Sequence, residues 1–367
     1  MLGKVVVVGV GLIGGSLGLA LRRRGKAREV VGVGRSAERL RQAQLLGAVD
    51  SFTTDPAEGV KGADLVVVAT PIGAIVPTLE SLAPHLEPGT VVTDVGSTKR
   101  EIVEAAEKLA AKYSFAFVGG HPMAGSERTG VENADPYLFE NAYYILTPTP
   151  STPAEAISRV EELVEAVGAR KVAIPPDLHD YYVAAVSHLP HCLASALCNL
   201  IASLPEKEAI LPLAAGGFRD TTRVAAGDPA LWRDILLTNT DPLRELLALL
   251  LQVLQELEGL LAKKDARELE EWLRRAQTLR KEVPTKSKGY LPELHEIVVT
   301  VPDRPGVIAH LASLLAAKDI NIADIEILRA REGEGGTIRL AFTRSEAQEK
   351  AYETLAAAGI EVRKRGG

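Results

Sequence analysis

A glycine-rich turn near the start of the chain has the spacing of a phosphate-binding site. Gly9, Gly11 and Gly14 follow a run of valines, and a helical pattern begins directly after them. In this strand–turn–helix context, G-x-G-x-x-G predicts a dinucleotide site. The first glycine permits the tight turn, the second lets the backbone approach a pyrophosphate, and the third lets the helix pack on the strand. The N–H groups that begin the helix, at Leu12 and Ile13, would face the phosphates.

The end of the second predicted strand bears on which dinucleotide binds. An acidic residue is expected there, about 20 residues after the glycines, to bind the adenosine ribose hydroxyls. Here the strand ends Val33-Gly34-Arg35-Ser36, without an aspartate or glutamate. A carboxylate would repel a 2′-phosphate, whereas an arginine beside a hydroxyl permits one. We expect NADP to be accepted, alone or alongside NAD; the alternative is an NAD enzyme with a merely solvated Arg35.

Three further segments follow predicted strands, where ligands of a parallel sheet collect. Thr70 and Pro71 follow one strand and are expected to contact the cofactor. Ser97 follows the next strand, and its alternative role is to cap the following helix. His121 lies among glycines in GGHPMAG, just past a predicted strand end. A core histidine is seldom placed in such a loop, so we expect His121 to be functional.

A second group of candidates lies in the middle of the chain. Ser187, His188 and His191 belong to the segment SHLPH. A metal site there is disfavoured, because no carboxylate or cysteine cluster has the spacing to complete one. Arg223 follows a pair of glycines in GGFRDTTR, and an arginine can hold a carboxylate through two parallel hydrogen bonds. The alternative is a surface ion pair with a neighbouring aspartate.

The elements that must position these residues change character along the chain. Residues 1–175 alternate short valine-rich runs with helical patterns, which predicts a doubly wound parallel sheet of the Rossmann type. Residues 176–281 are helical, and Leu243–Leu261 is apolar on more than one side. That stretch should be buried in a bundle or against a second copy, so a homodimer is expected. A linker at 282–293 precedes a ferredoxin-like β-α-β-β-α-β pattern in 294–367.

Composition excludes several classes of protein. The 367 residues are 46% hydrophobic and 25% charged, as in soluble globular proteins. No apolar run reaches the ~18–20 residues of a membrane span, and the N-terminus does not read as a signal peptide. A net charge of −6 argues against a nucleic-acid binder. Two cysteines make no disulfide framework, which favours the cytoplasm.

Several motifs in order resemble the prephenate/arogenate dehydrogenase family of tyrosine biosynthesis. The resemblance runs from about Val5 to Asn239 and rests on five segments, GVGLIGGSLGLAL, DVGSTK, GHPMAGSERTG, HDYYVAAVSHLPH and GGFRDTTRVAAGDPALWRDI. It implies an NAD(P)-dependent oxidative decarboxylation of prephenate to 4-hydroxyphenylpyruvate. The ring C4 hydride would pass to the nicotinamide and the ring carboxylate would leave as CO₂. Arogenate, which would give tyrosine directly, stays open as the substrate.

The resemblance also implies roles for individual residues. His121 would bind the C4 hydroxyl and help to remove its proton, and Ser97 would support it. Arg223 would bind a substrate carboxylate, while Ser187 and His191 would line the same pocket. Glu127, in the GHPMAGSERTG segment, would gate that pocket.

The last 70 or so residues resemble an ACT domain, a regulatory module that commonly binds amino acids. Asp303, Pro305 and Gly306 of the segment DRPGV, with Asn321 and Ile322, would form its ligand site. Tyrosine is the expected effector. The alternative is a purely structural or dimerising module.

Rival interpretations fit the sequence less well. A phosphoglycerate-dehydrogenase-like enzyme would combine a dinucleotide fold with an ACT module, but it has no place for the SHLPH segment. A β-hydroxyacid dehydrogenase would need a catalytic lysine in the helical region, and none is suitably placed. A non-catalytic nucleotide and amino-acid sensor would not need His121, Ser97 and Arg223 together.

Overall fold

The computed structural model describes residues 1–125, 128–283, 295–302, 304–328 and 336–364. The chain divides into two compact units, Met1–Gly289 and Tyr290–Gly367. The predicted linker at 282–293 falls almost entirely outside the described residues, as do Glu127 and Asp303.

An eight-stranded sheet forms the centre of the first unit. Its strands are β1 (Leu2–Val8), β2 (Ala27–Val33), β3 (Ser51–Thr53), β4 (Leu65–Val68), β5 (Val91–Asp94), β6 (Ala116–Pro122), β7 (Tyr143–Thr147) and β8 (Arg170–Ala173). The order is β3-β2-β1-β4-β5-β6-β7-β8. The first six are parallel, β7 runs antiparallel to β6, and β8 is parallel to β7. The order reverses between β1 and β4, where a doubly wound sheet opens its ligand crevice.

Helices cover both faces of this sheet. They are α1 (Leu12–Arg23), α2 (Ala37–Leu45), α3 (Pro56–Val60), α4 (Ile72–Leu82), α5 (Arg100–Tyr113) and α6 (Ala154–Ala166). Val5 and Val7 pack into the core that includes α1 and α6, and Val6 and Val8 into the core that includes α4 and α5. Successive strand residues point to opposite faces, so burial on both sides explains the uninterrupted valine run.

Seven further α-helices follow among the described residues of the first unit. They are α7 (Pro176–Val183), α8 (Leu189–Ser203), α9 (Lys207–Ile210), α10 (Gly216–Thr222), α11 (Pro229–Thr238), α12 (Thr240–Lys263) and α13 (Ala266–Glu282). A π-helical segment, Ala184–His188, joins α7 to α8 in one continuous run. That run is long and apolar enough to cross a membrane by length and composition. Within this run His179, Asp180, His188 and His191 are buried.

Helix α12 is less buried within one chain than its leucine-rich sequence predicts. No α12 residue is buried. Leu247, Leu251 and Leu254, which recur at i, i+4 and i+7 and so share one face, are each more than 40% exposed. A contiguous apolar face of this kind marks an interaction surface.

The second unit has the β-α-β-β-α-β order expected from the sequence. Its elements are β9 (His295–Val301), α14 (Val307–Ala316), β10 (Asp324–Leu328), β11 (Gly336–Phe342), α15 (Ser345–Ala357) and β12 (Glu361–Lys364). They form an antiparallel sheet in the order β10-β11-β9-β12. Ile338 and Leu340 enter the core, whereas Arg339 points to the other face. There it is 3% exposed and pairs with Glu296 at 2.5 Å, Glu326 at 2.7 Å and Asp324 at 2.8 Å.

Two features of the first unit depart from the sequence prediction. The short elements β3 and α3 were not predicted, because three to five residues give too little periodicity to detect. His121 was placed in a loop beyond a strand ending at Val118, but β6 continues through it and pairs His121 with Ile145 of β7. The glycines before His121 allow this, since a Cβ on Gly120 would lie 2.7 Å from the backbone oxygen of Asp94.

Candidate active site

The glycine turn between β1 and α1 has the shape that a dinucleotide needs. Gly9 has φ +95°, and a Cβ on Gly14 would lie 2.3 Å from the Gly9 oxygen. By contrast, no atom lies within 4 Å of the position of a Cβ on Gly11. Helix α1 begins with Leu12 and Ile13, and it has neither a side-chain cap nor an acidic residue in its first turn. Its free N–H groups and open approach suit a pyrophosphate.

The end of β2 presents exposed arginines on the expected adenosine side. Arg35 is exposed and forms no ion pair within the described parts of the chain. Ser36 is the N-cap of α2, and its hydroxyl accepts a hydrogen bond from the Arg39 backbone N–H at 3.3 Å. Arg39 is equally exposed and was not predicted as a site residue. The Ser36 hydroxyl thus accepts one hydrogen bond from α2, while Arg35 and Arg39 form no ion pair with the described residues.

The turn after β4 carries a buried hydroxyl without a partner. Thr70 Oγ1 is inaccessible to solvent and forms no hydrogen bond with the described protein atoms. Pro71 follows it as the N-cap of α4 and is exposed. An orphaned buried hydroxyl beside the sheet crevice is available to a ligand.

His121 is held by two residues of α7. Its Nδ1 lies 2.9 Å from Nε2 of His179, and the two ring planes meet at 75°. Nδ1 of His179 lies 2.7 Å from Oδ1 of Asp180. His121 is 9% exposed, His179 0% and Asp180 2%, so the three side chains form one buried row.

A buried ion pair fixes the backbone just before His121. Lys99 Nζ donates to Oδ2 of Asp94, and both side chains are fully buried. Lys99 Nζ also donates to the Gly120 oxygen at 2.9 Å, while Asp94 Oδ1 accepts from the Gly120 N–H at 3.1 Å. The ion pair therefore binds both backbone polar groups of Gly120 and fixes the position of the backbone that leads into His121.

Ser97 lies between β5 and α5, half-buried, and its hydroxyl bonds to none of the described residues. It does not cap α5, whose N-cap residue is Lys99. Asp180 caps this helix instead: Oδ1 accepts from the Lys99 N–H at 2.7 Å and Oδ2 from the Arg100 N–H at 2.9 Å. The Ser97 hydroxyl is left free for a ligand.

The SHLPH segment lines the same region from the helical side. Nδ1 of His188 lies 3.0 Å from Nδ2 of Asn239, which also donates to the backbone carbonyl oxygen of Asp180 at 2.8 Å. His191 is stacked on Trp232 with ring centroids 3.5 Å apart, and its buried Nδ1 has no hydrogen-bond partner among the described residues. Ser187 is half-buried at the end of the π-helical segment.

Arg223 begins a 3₁₀ segment, Arg223–Ala226, that packs against the histidine-bearing helix α8. It is exposed, and no ion pair to Asp220 or Asp228 is present within the described residues. The surface ion pair considered as its alternative role is therefore not formed, and its guanidinium is available to an anion.

Burial controls the protonation of the histidines. Burial, followed by His179, Lys99 and His188, lowers the pKa of His121 well below its usual 6.5. Burial likewise lowers the pKa of His188 to about 4. His121 is thus neutral at neutral pH and able to accept a proton. Among the described residues, no group of three His, Cys, Asp or Glu side chains is arranged to hold a metal ion.

The candidate ligand residues of the second unit lie in the loops before and after α14. Gly306 has φ +89°, and a Cβ there would meet no atom within 4 Å. Pro305 and Asn321 are exposed, and Ile322 is half-buried against the core. These four residues are surface loop positions open to a ligand.

Several functional candidates were not singled out from the sequence. His179 and Asp180 belong to one of the motifs of the resemblance but were not predicted as site residues, and neither were Asp94, Lys99 and Asn239. The available signal was the adjacent pair His179-Asp180 in an otherwise apolar helix. Charged residues at such positions are rarely buried unless they are paired.

These features define an NAD(P)-dependent dehydrogenase: a doubly wound sheet, an open glycine turn after its first strand, and a neutral buried histidine at the end of β6. The model of the prephenate dehydrogenase nucleotide-binding domain matches residues 17–173, that of the dimerization domain of the same family matches 175–275, and an ACT domain matches 295–362. The chain therefore belongs to the prephenate dehydrogenase family.

Individual relatives agree. The chain is 36% identical over 359 residues to the prephenate dehydrogenase of Bacillus subtilis, covering 96% of this chain and 95% of that one. The solved prephenate dehydrogenase of A. aeolicus, in complex with hydroxyphenyl propionate and NAD⁺, is 35% identical with a TM-score of 0.73, over 77% of this chain and 99% of that one. The Synechocystis arogenate dehydrogenase is 36% identical with a TM-score of 0.70, over 77% and 100%.

The lowered pKa of His121 predicts the acid side of the pH profile. Acid protonates the ring and removes the base, and the low pKa places that loss below pH 6.5. We expect kcat/KM to stay level from neutral pH to pH 6.5 and to fall only at lower pH. Initial rates across pH measure this, with thermal unfolding at each pH as the control. An acid limb centred above pH 6.5 would contradict a buried neutral base.

Proposed function

We propose that the chain catalyses the NAD(P)-dependent oxidative decarboxylation of prephenate to 4-hydroxyphenylpyruvate. The observation that carries this is the neutral His121, held from behind by His179 at the carboxyl edge of a dinucleotide-binding sheet. The family membership supplies the reaction class. Arogenate, which differs by an amino group on the side chain, is the second candidate, favoured by the likeness to an arogenate dehydrogenase.

The residues of the cofactor side fit a nicotinamide dinucleotide. The glycine turn with Leu12 and Ile13 would hold the pyrophosphate, and the orphaned Thr70 hydroxyl with Pro71 would meet the nicotinamide half. When bound, the nicotinamide accepts the hydride from ring C4.

The chain's own residues would handle one proton and two carboxylates. His121 accepts the C4 hydroxyl proton as the carbonyl forms, and it returns that proton to the ring oxygen when CO₂ leaves and the ring becomes aromatic. The free Ser97 hydroxyl would orient the C4 hydroxyl. Arg223 would bind the ring carboxylate, with Ser187 and the unpaired Nδ1 of His191 toward the side chain. Glu127 remains a proposal as the gate of the pocket.

The primary experiment measures initial rates for prephenate or arogenate with NAD or NADP. We expect turnover in at least one combination, and His121→Asn should lower kcat by about 10²–10⁴-fold, the usual contribution of a general base. His85→Asn, an exposed histidine away from the sheet edge, is the matched control and should behave as wild type. Bound nucleotide without turnover in any combination would contradict the dehydrogenase assignment and favour a sensor.

We also propose that NADP is accepted, because Arg35, after β2, and Arg39, in the first turn of α2, are exposed and form no ion pair with the described residues. Arg35→Ala should weaken NADP about tenfold, or ~1.4 kcal/mol, and leave NAD unchanged. Arg41→Ala, an exposed arginine farther along α2, is the control. Titrations with the fluorescent reduced forms NADPH and NADH measure both affinities, and an unchanged NADPH affinity in Arg35→Ala would exclude the role.

Tyrosine is our proposed effector at the ACT unit, through Pro305, Gly306, Asn321 and Ile322, with Asp303 added from the sequence. Saturating tyrosine should inhibit the full-length enzyme, and Asn321→Ala should reduce that inhibition without changing KM. Glu353→Ala, exposed on α15 of the same unit, should retain it. Equal inhibition of Asn321→Ala and wild type would place tyrosine elsewhere, for instance in the active site, because its ring resembles that of the product 4-hydroxyphenylpyruvate.

The exposed apolar face of α12 supports a homodimer, as does the matched dimerization domain. Sedimentation velocity should give twice the 39.1 kDa of one chain. A chain that sediments as a monomer, unchanged by Leu251→Glu, would refute the α12 interface; Leu45→Glu, on α2, is the control for an exposed leucine elsewhere.

A further inference from the structure

A buried carboxylate stands behind the candidate base. Oδ1 of Asp180 accepts from the Lys99 backbone N–H and lies 2.7 Å from the His179 ring, while Oδ2 accepts from the Arg100 N–H. The start of α5 fixes two of these donors, and α7 carries the third. Because Asp180 is 2% exposed, solvent does not compete for its oxygens, and its orientation is set.

This orientation dictates which ring nitrogens carry hydrogen. A carboxylate only accepts hydrogen bonds, so Nδ1 of His179 must donate. When each ring carries one proton, Nε2 of His179 is then an acceptor. Nδ1 of His121, 2.9 Å away, must therefore donate to it. The lone pair of His121 is left on Nε2.

We propose that Asp180 and His179 are positioning residues that hold His121 in the tautomer with a protonated Nδ1 and a free Nε2. This rests on the proposed function, in which His121 accepts the substrate hydroxyl proton. The O–H bond breaks as an Nε2–H bond forms, and the same proton returns to the ring oxygen after CO₂ leaves. Asp180 gains no proton. It makes Nε2 the available base and compensates the charge that the two rings share.

Two variants separate this role from helix capping. In Asp180→Asn the side-chain amide has two orientations. Its NH₂ group faces either the Arg100 N–H, which also donates, or Nδ1 of His179. The second orientation reverses both tautomers and leaves a proton on Nε2 of His121. His179→Leu removes the connection but leaves Asp180 to cap α5. If Asp180 acted only as a helix cap, His179→Leu would therefore keep the wild-type kcat.

A double-mutant cycle with His121→Asn tests the proposal, with kcat, KM and thermal unfolding measured for the full-length enzyme. We expect Asp180→Asn and His179→Leu each to lower kcat about 10²-fold, within the range of a general base, with KM for the nucleotide little changed. In the His121→Asn background, each should change kcat less than about threefold, because the group they position is gone.

Equal losses of kcat with and without His121 would overturn the positioning role, as would wild-type kcat in His179→Leu. An unimpaired His121→Asn would instead overturn the proposed function, and the inference with it. Should Asp180→Asn fail to fold, the cycle with His179→Leu alone still decides.

Discussion

The carboxylate of Asp180 is the constraint on which the candidate site depends. It caps the first turn of α5, which follows the Ser97 loop, and it anchors the ring of His179 behind His121. An N-cap of this kind contributes about 0.5–2 kcal/mol to a helix. Here it also ties the sheet domain to the first helix of the helical domain. Because burying an unpaired carboxylate is costly, Asp180 is stable only while both domains supply their donors.

A second buried group, the ion pair of Asp94 and Lys99, positions His121 from within the sheet. Asp94 and Lys99 bind both polar groups of Gly120, and burial lowers the pKa of Lys99 while Asp94 opposes that shift. His121 is consequently fixed on two sides, through its backbone by Lys99 and Asp94 and through its ring by His179. A general base needs this precision, since small displacements of a reacting group reduce rates severely.

The parts predicted from sequence are those governed by local patterns. Valine runs, the glycine turn and the split β-α-β-β-α-β order follow from periodicity and turn chemistry, and the structure has them. The motifs around His121 and Ser97 led to the right family. The missed parts depend on partners distant in sequence: Asp180 caps a helix 80 residues before it, and β6 continues through His121 only because β7 pairs with it. The sequence left open whether the leucines of α12 are covered by their own chain or by a second copy, and in the structure these leucines are half-buried or exposed.

The central claim is that the Asp180–His179 row leaves Nε2 of His121 as the free base. The most direct measurement is long-range ¹H–¹⁵N correlation spectroscopy of the full-length enzyme labelled at histidine, with the His121 signals assigned by their loss in His121→Asn. At neutral pH the row predicts a protonated Nδ1 and an unprotonated Nε2 on His121. A His121 ring protonated on Nε2, or on both nitrogens, would contradict it.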